Sequence, residues 1–159
     1  QSDIVYLYQN YAITGDVILK EIFQTPLFDI DFLNPTQRYN NYNALINTIE
    51  KLLQIKDKTF LPGHRDDIDD IKYRIEWYLE KLLNRTCRIG KRLMNDNLYN
   101  ILLSMNIDTY TDPLTSYLKL SELFFMRDFI SNKDPLVKTI EINNFNINIS
   151  QYLECIYEG

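Results

Sequence analysis

The sequence contains one histidine and two cysteines in 159 residues, so the side chains that most often bind transition metals or act as nucleophiles are scarce. A zinc site takes three or four protein ligands, and a general acid or base needs a partner within hydrogen-bond reach. His64 alone can therefore form neither kind of site. A metal or catalytic role for His64 requires side chains from another part of the chain.

The two cysteines, Cys87 and Cys155, lie far apart and lack the short spacing of a metal-binding pair. We expect two thiols in a reducing cytoplasm, with a disulfide as the less favoured alternative. No apolar run reaches the roughly 20 residues that span a bilayer, and the N-terminus lacks the features of a secretion signal. The sequence therefore predicts no membrane partner and a cytoplasmic location, the latter provided that the natural N-terminus is present.

Basic residues are outnumbered: 17 Lys and Arg face 22 Asp and Glu, which gives a net charge of −5. Nucleic-acid binding needs a concentrated basic surface, so no nucleic-acid partner is expected. One basic cluster, Arg85, Arg88, Lys91 and Arg92, falls in the last turns of a predicted helix. The helix dipole favours cations there, which indicates a solvated helix end rather than a nucleic-acid contact.

The N-terminal residues predict a β-hairpin that ends in a glycine turn. Residues 4–8 are apolar on both faces, as in a buried strand, and residues 11–14 form a second strand after a tight turn. Gly15 permits a sharp change of direction that projects Asp16. Asp16 is either a ligand at the strand end or an ordinary turn or capping aspartate.

A second strand-end turn carries the histidine. Residues 59–61 predict a strand, and Pro62 and Gly63 end it just before His64. Two such turns at one sheet edge would place the carboxylate of Asp16 beside the imidazole of His64. The alternative is a surface or capping histidine without a ligand role.

In their order, spacing and flanking strands, residues 14–16 (Thr-Gly-Asp) and 62–64 (Pro-Gly-His) resemble the last two metal-binding motifs of the metallo-β-lactamase fold hydrolases. The resemblance covers about residues 1–93. It implies that Asp16 bridges two metal ions, with zinc as the expected metal, and that His64 binds one of them. The segment between the motifs also fits, with Arg38, Tyr42 and a helix.

The family's His-x-His-x-Asp-His motif and its next lone histidine precede the Thr-Gly-Asp turn, and neither is in this chain. The resemblance therefore implies an α/β fold that is the C-terminal half of an αββα sandwich. A complete dinuclear site would need the missing N-terminal half or a homodimer partner. Arg65 stands where the family usually has glycine, and its cation would either repel metal or bind an anionic substrate.

Two helices are expected around the second turn. Asn34 followed by Pro35 predicts the start of a helix that continues to Leu53. A longer helix with an apolar stripe covers about residues 68–93. The start of this helix contains four aspartates, Asp66, Asp67, Asp69 and Asp70. The favourable interaction of carboxylates with the positive end of the helix dipole explains them better than a metal site does.

The segment between the first turn and the first helix contains apolar side chains, including Phe23, Leu27 and Phe28. The resemblance places this region along the approach to the metal site, where these side chains would shape a pocket. The alternative is that they belong to the core.

We expect two parts, residues 1–94 as the metallo-β-lactamase-like half and residues 95–159 as a helical, winged-helix-like appendage packed against it. The appendage ends in a predicted β-hairpin, because residues 137–142 and 145–150 alternate around Asn143-Asn144, a type I′ turn signal.

The sequence thus predicts a fragment of a metal-dependent hydrolase that is inactive alone. In the complete protein, metal-bound hydroxide would attack a small-molecule thioester, lactone or related substrate. The alternative is a non-catalytic interaction module in which Asp16 and His64 are relics. That alternative predicts an exposed apolar sheet surface, and hence dimerisation or partner binding.

Overall fold

A computed structural model describes residues 4–105, 107 and 111–158. In this part of the chain, six helices and two small sheets form an α/β fold, which confirms the predicted class. In chain order the elements are β1 (Tyr6–Tyr8), β2 (Tyr11–Gly15), β3 (Ile30–Asp31), β4 (Asn34–Arg38), α1 (Asn41–Gln54), β5 (Thr59–Pro62), α2 (Ile71–Asn95), α3 (Leu98–Ser104), α4 (Pro113–Ser131), α5 (Asp134–Ile142) and α6 (Ile149–Tyr157).

The larger sheet has the strand order β1-β2-β5. β1 and β2 form the predicted antiparallel hairpin, and β5 pairs with β2 in parallel. Ala12 of β2 and Phe60 of β5 are fully buried on the inner face of this sheet. The expectation that the first strand is buried on both faces is wrong, because Tyr6, Leu7 and Tyr8 of β1 are all exposed.

The buried side chains of the sheet and the helices belong to one continuous core. In α1, buried side chains recur at three- and four-residue intervals, as an amphipathic helix requires. The core also includes Phe129 of α4 and Ile156 of α6, so the C-terminal part packs against the first part, as expected. The division into residues 1–94 and 95–159 stays a prediction. None of the helices in the described part of the chain has the length and apolar character needed to cross a bilayer.

The first helix begins later than predicted. Asn34 and Pro35 belong to β4, which pairs with β3 in a two-stranded hairpin. α1 begins at Asn41, and the side chain of Asn40 accepts the hydrogen bond from Asn43 N that caps it. The asparagine-rich segment therefore offers the same capping chemistry at two places, and the structure uses the second.

The predicted C-terminal β-hairpin is wrong, because residues 137–142 belong to α5, and residues 145–150 form part of the connection between α5 and α6 and the first two residues of α6. Asn144 adopts a positive φ of 48° at the end of α5. Phe145 N donates to Ile140 O and Asn144 N donates to Glu141 O. These two bonds form a Schellman motif, so an Asn-Asn pair that resembles a hairpin turn ends a helix.

The expectation of two free thiols is also wrong, because Cys87 of α2 and Cys155 of α6 form a disulfide with a Cα–Cα distance of 5.5 Å. Gly90, one turn further along α2, allows the two helices to approach closely. A Cβ atom at Gly90 would lie 2.9 Å from the carbonyl oxygen of Ile156. The pairing depends on this helix contact, which connects residues 68 positions apart and leaves no local sequence signal.

Candidate functional site

The ends of two parallel strands lie side by side at one edge of the larger sheet. Gly15 of β2 is in register with Pro62 of β5, and Gly63 N donates a 2.7 Å hydrogen bond to Gly15 O. Because parallel strands present their carboxyl ends at the same edge, the residues that follow both strands meet there. These residues are Asp16 and His64, as the sequence predicted.

The structure explains why each of the two turns contains a glycine. Gly15 has a φ of +53°, a backbone conformation that is unfavourable for residues with a Cβ atom. Gly63 is required by space, because a Cβ there would lie 3.1 Å from Asp16 Oδ1 and 3.4 Å from the main chain of Gly15. The turns can approach closely only because neither glycine carries a side chain.

The structure brings the two predicted ligands together. Asp16 Oδ1 lies 3.7 Å from His64 Nε2, and the side chains are 64% and 72% exposed, respectively. Two donor atoms on one tetrahedral zinc ion, each about 2.0–2.1 Å from it, are separated by about 3.3 Å. The observed separation is close to that value, so a small rotation of either side chain would let both atoms contact one ion. The assignment of the pair as metal ligands stays a prediction.

Neighbouring residues hold the Asp16 turn in place. Thr14 is buried, its hydroxyl donates to Leu61 O at 3.4 Å, and its carbonyl accepts a hydrogen bond from Val17 N at 3.0 Å. The Gln24 side chain donates to Asp16 O. Sequence reasoning missed Gln24, because the contact exists only once the intervening residues fold back towards the turn.

The acidic residues near His64 act as helix and surface groups. Asp70 accepts a 2.9 Å hydrogen bond from Tyr73 N and caps α2, which confirms the capping interpretation for Asp70. Asp66 lies 3.9 Å from Lys20 Nζ. Across the described residues, no third His, Cys, Asp or Glu joins Asp16 and His64 in a cluster that could hold a metal ion. Arg65 adopts a positive φ of 72° next to the histidine.

Arg38 and Tyr42, which the resemblance placed between the motifs, make structural contacts. The Arg38 guanidinium forms a bidentate ion pair with Asp128, in which Nη1 lies 2.6 Å from Oδ2. The guanidinium also lies 5.0 Å from the centre of the Phe124 ring. The Tyr42 hydroxyl accepts a hydrogen bond from Leu136 N, and burial raises the pKa of Tyr42. These contacts join the first half of the chain to α4 and α5.

The apolar residues of the intervening segment divide between core and cavity. The rings of Phe23 and Tyr78 stack at 5.1 Å, and Phe28 stacks on Phe124 at the same distance. Leu27 lines a cavity that also reaches Asp16. In this segment, Leu27 therefore fits the pocket interpretation, whereas the two phenylalanines pack against other aromatic rings.

Members of the basic cluster pair with acidic side chains. Arg85 Nη1 lies 2.6 Å from Glu122 Oε1, and Arg92 Nε lies 3.3 Å from Asp96 Oδ2. Arg85 also lies over the Phe23 ring, 4.4 Å from its centre. These ion pairs involve two of the four cations, and the interpretation of the cluster as a solvated helix end stays a prediction.

Comparison of the chain with protein-family models, curated protein sequences and solved structures found no significant match.

Proposed function

We propose that this chain contributes Asp16 and His64 to the metal site of a hydrolase similar to the metallo-β-lactamase fold enzymes. The observation that carries the proposal is the 3.7 Å approach of Asp16 Oδ1 to His64 Nε2 at the ends of β2 and β5. Zinc is the proposed metal, since oxygen and imidazole nitrogen at this spacing suit it. The chain is inactive alone, because an active zinc site needs more ligands than these two.

The remaining ligands would come from a polypeptide that covers the sheet. Tyr6 is in register with Ile13, and Tyr8 with Tyr11, so the four side chains share one face, and all are exposed. An apolar face of this kind favours contact with another protein surface. In the proposed αββα sandwich, the N-terminal half occupies this face and supplies the His-x-His-x-Asp-His ligands. A homodimer partner would instead supply a second Asp16 and His64.

Bound zinc would lower the pKa of a water molecule and polarise the scissile carbonyl of a small-molecule substrate. The residues of this chain position that chemistry. Asp16 and His64 hold the ion at the sheet edge, and Thr14 and Gln24 fix the turn that carries Asp16. A thioester, lactone or related carbonyl compound is the proposed substrate class.

A cytoplasmic location belongs to the same proposal. Reducing compartments rarely maintain structural disulfides, so the Cys87–Cys155 bond would there be formed only in part or under oxidising conditions. The ratio of oxidised to reduced chain in freshly lysed, alkylated cells tests this location. A fully oxidised pair would argue for an oxidising compartment.

Zinc titration of the metal-free chain by calorimetry tests the ligand assignment. We expect Asp16→Asn and His64→Gln each to weaken zinc binding at least tenfold, since the first replaces an anionic carboxylate with a neutral amide and the second removes the imidazole. Asp66→Asn is the matched control, because Asp66 is a neighbouring exposed carboxylate that faces Lys20. Equal zinc binding by the wild type and both ligand variants would contradict the proposal.

The second candidate is a non-catalytic interaction module, which the exposed sheet face favours. In this case the chain self-associates through that face without metal. We expect sedimentation velocity to show concentration-dependent dimers that Tyr11→Lys abolishes, whereas Tyr99→Lys, on the exposed surface of α3, leaves them intact. A monomer at all concentrations would exclude self-association as its function.

A further inference from the structure

A cavity of about 300 Å³ lies behind the Asp16 turn. Its walls come from α1, from α2 and from the segment between Asp16 and Leu27. This volume is at the lower end of the range for small-molecule sites, and it accommodates on the order of ten atom-sized groups at roughly 30 Å³ each. The cavity is therefore large enough for a ligand rather than for one or two water molecules.

The walls are mostly aliphatic. Ile18 and Leu19 follow the Asp16 turn, Leu45 and Ile49 come from α1, and Ile75 comes from α2. Such walls stabilise an apolar chain through the removal of its surface from water. They offer few groups to bind a sugar, a nucleotide or a peptide backbone, which need many hydrogen bonds.

One buried cation lines the cavity. Arg74 is 5% exposed, and two of its nitrogens donate to main-chain carbonyls: Nε to Leu19 O, and Nη2 to Ile22 O at 2.6 Å. Its third nitrogen, Nη1, has no hydrogen-bond partner among the described residues. The guanidinium lies 4.4 Å from the ring centre of Trp77. A buried cation with a free donor is strongly favoured by an anionic or carbonyl oxygen.

Among the described residues, the same wall also contains an unpartnered hydrogen-bond acceptor. Gln24 Oε1 is also buried without a hydrogen-bond partner in the described part of the chain, while the amide nitrogen of Gln24 donates to Asp16 O. Asp16, the proposed metal ligand, lines the cavity too. The cavity thus combines an apolar interior, a few polar atoms and a connection to the proposed reaction site.

We propose that this cavity binds a linear acyl chain of about ten carbons, with an oxygen of the acyl group paired to Arg74 Nη1. The role of this acyl group as the substrate rests on the proposed function above, whereas its binding needs no metal. A medium-chain thioester or ester would then be hydrolysed at the Asp16 and His64 edge. Water adds to the acyl carbon, the carbon–sulfur or carbon–oxygen bond breaks, and the thiol or alcohol leaves with one proton of that water. The acid product releases the other proton to solvent and departs as a carboxylate.

Binding of decanoate, decanol and hexanoate to the metal-free chain tests the proposal by calorimetry. We expect decanoate to bind saturably, with one site per chain. Its affinity should exceed that of hexanoate by roughly a factor of four for each additional methylene. Decanol lacks the carboxylate and should bind at least tenfold more weakly than decanoate. Trp77 is the only tryptophan in the sequence and lies next to Arg74, so its fluorescence provides an independent measurement of ligand binding.

Variants locate the site. Leu45→Phe narrows the cavity and should weaken decanoate binding at least fivefold, while Leu118→Phe makes the same change on the exposed part of α4 and should have no effect. Arg74→Met should remove the preference for decanoate over decanol. If Arg74→Met fails to fold, the affinities of decanoate and decanol for the wild type and the affinity of Leu45→Phe for decanoate still test the proposal.

Three results would overturn the proposal: no saturable decanoate binding, equal affinity for decanoate and decanol, or an unchanged affinity in Leu45→Phe. His64→Gln separates this inference from the metal site, because His64 does not line the cavity, so the variant should bind zinc at least tenfold more weakly and bind decanoate unchanged. Zinc binding without decanoate binding would reject the acyl ligand and leave the hydrolase proposal intact. Decanoate binding without zinc binding would confirm the cavity ligand and reject its role as substrate.

Discussion

Gly63 N donates a 2.7 Å hydrogen bond to Gly15 O, and this bond sets the distance between the two turns that carry the candidate metal ligands. Pairing of β2 and β5 brings the turns to one edge, and the absence of a side chain at Gly63 leaves room for Asp16 Oδ1. The geometry of the site is therefore determined mainly by the main chain.

Alanine at each glycine separates space from backbone strain. Gly63→Ala should weaken zinc binding several-fold, because the new Cβ would crowd Asp16 Oδ1 at 3.1 Å. Gly15→Ala has open space around its Cβ but a φ of +53°, so it should lower the free energy of unfolding by about 1 kcal/mol. Urea unfolding and zinc titration of both variants check this. Zinc binding in Gly63→Ala that equals the wild type would contradict the crowding argument.

The Arg38–Asp128 pair connects β4 to α4, and both side chains are largely buried, at 27% and 15% exposed. Arg38→Met keeps the apolar stem but leaves Asp128 unpaired, so we expect a loss of about 2 kcal/mol in the free energy of unfolding. The matched control is Arg92→Met, whose pair with Asp96 is 43% exposed on both sides and should contribute less than about 0.5 kcal/mol. Similar losses in the two variants would show that burial of the Arg38 pair has no effect.

Reduction of the Cys87–Cys155 disulfide should lower the free energy of unfolding by about 3–4 kcal/mol, because the bond closes a loop across 68 positions of the unfolded chain. Urea unfolding with and without a reductant measures the effect, and Cys87→Ser with Cys155→Ser is the control that should not respond to the reductant. Since Gly90 keeps α2 against Ile156, we expect the helix content to persist after reduction. Unchanged stability would mean that the bond does not form in solution.

Stability should fall at high pH because of buried tyrosines. Burial raises the pKa of both Tyr42 and Tyr78 above the usual value of about 10. The neutral hydroxyl is thus favoured in the folded state. Its contribution is fully present below pH 10 and is lost as the pH rises towards the folded-state pKa.

Urea unfolding at pH 8, 10 and 11 measures this dependence. Tyr42→Phe should reduce the decline above pH 10 and should cost about 1–2 kcal/mol at pH 8, because Leu136 N loses its acceptor. Exposed Tyr73→Phe is the control for the general effect of alkali. An identical decline in the wild type and Tyr42→Phe would contradict the assignment.

The residues that sequence analysis placed correctly are governed by local rules. Gly15 and Gly63 mark the ends of short β-branched or apolar strands. The parallel pairing of β2 and β5 then brings Asp16 and His64 to one edge of the sheet. The predicted start of the first helix and the predicted C-terminal hairpin are wrong because their signals have two structural solutions. Asn143-Asn144 suits either a hairpin turn or a helix C-terminus, and the burial of Leu136 and Ile140 against the core favours the helix.

Other features depend on contacts between distant segments. The Cys87–Cys155 bond follows from the close packing of α2 and α6 at Gly90, and the unpartnered Nη1 of Arg74 follows from the path of the segment after Asp16. Neither leaves a pattern in neighbouring residues. The exposed face of β1 and β2 was expected only under the interaction-module alternative, and the structure shows it.

The central claim, that Asp16 and His64 bind one metal ion, is tested most directly by the imidazole nitrogens of the only histidine. A long-range ¹H–¹⁵N spectrum of the chain contains one imidazole, so its signals need no assignment. On addition of zinc, we predict a shift of the His64 Nε2 resonance in the wild type that is lost or strongly weakened in Asp16→Asn. An imidazole spectrum that zinc leaves unchanged, or a zinc response that is identical in Asp16→Asn, would contradict the account.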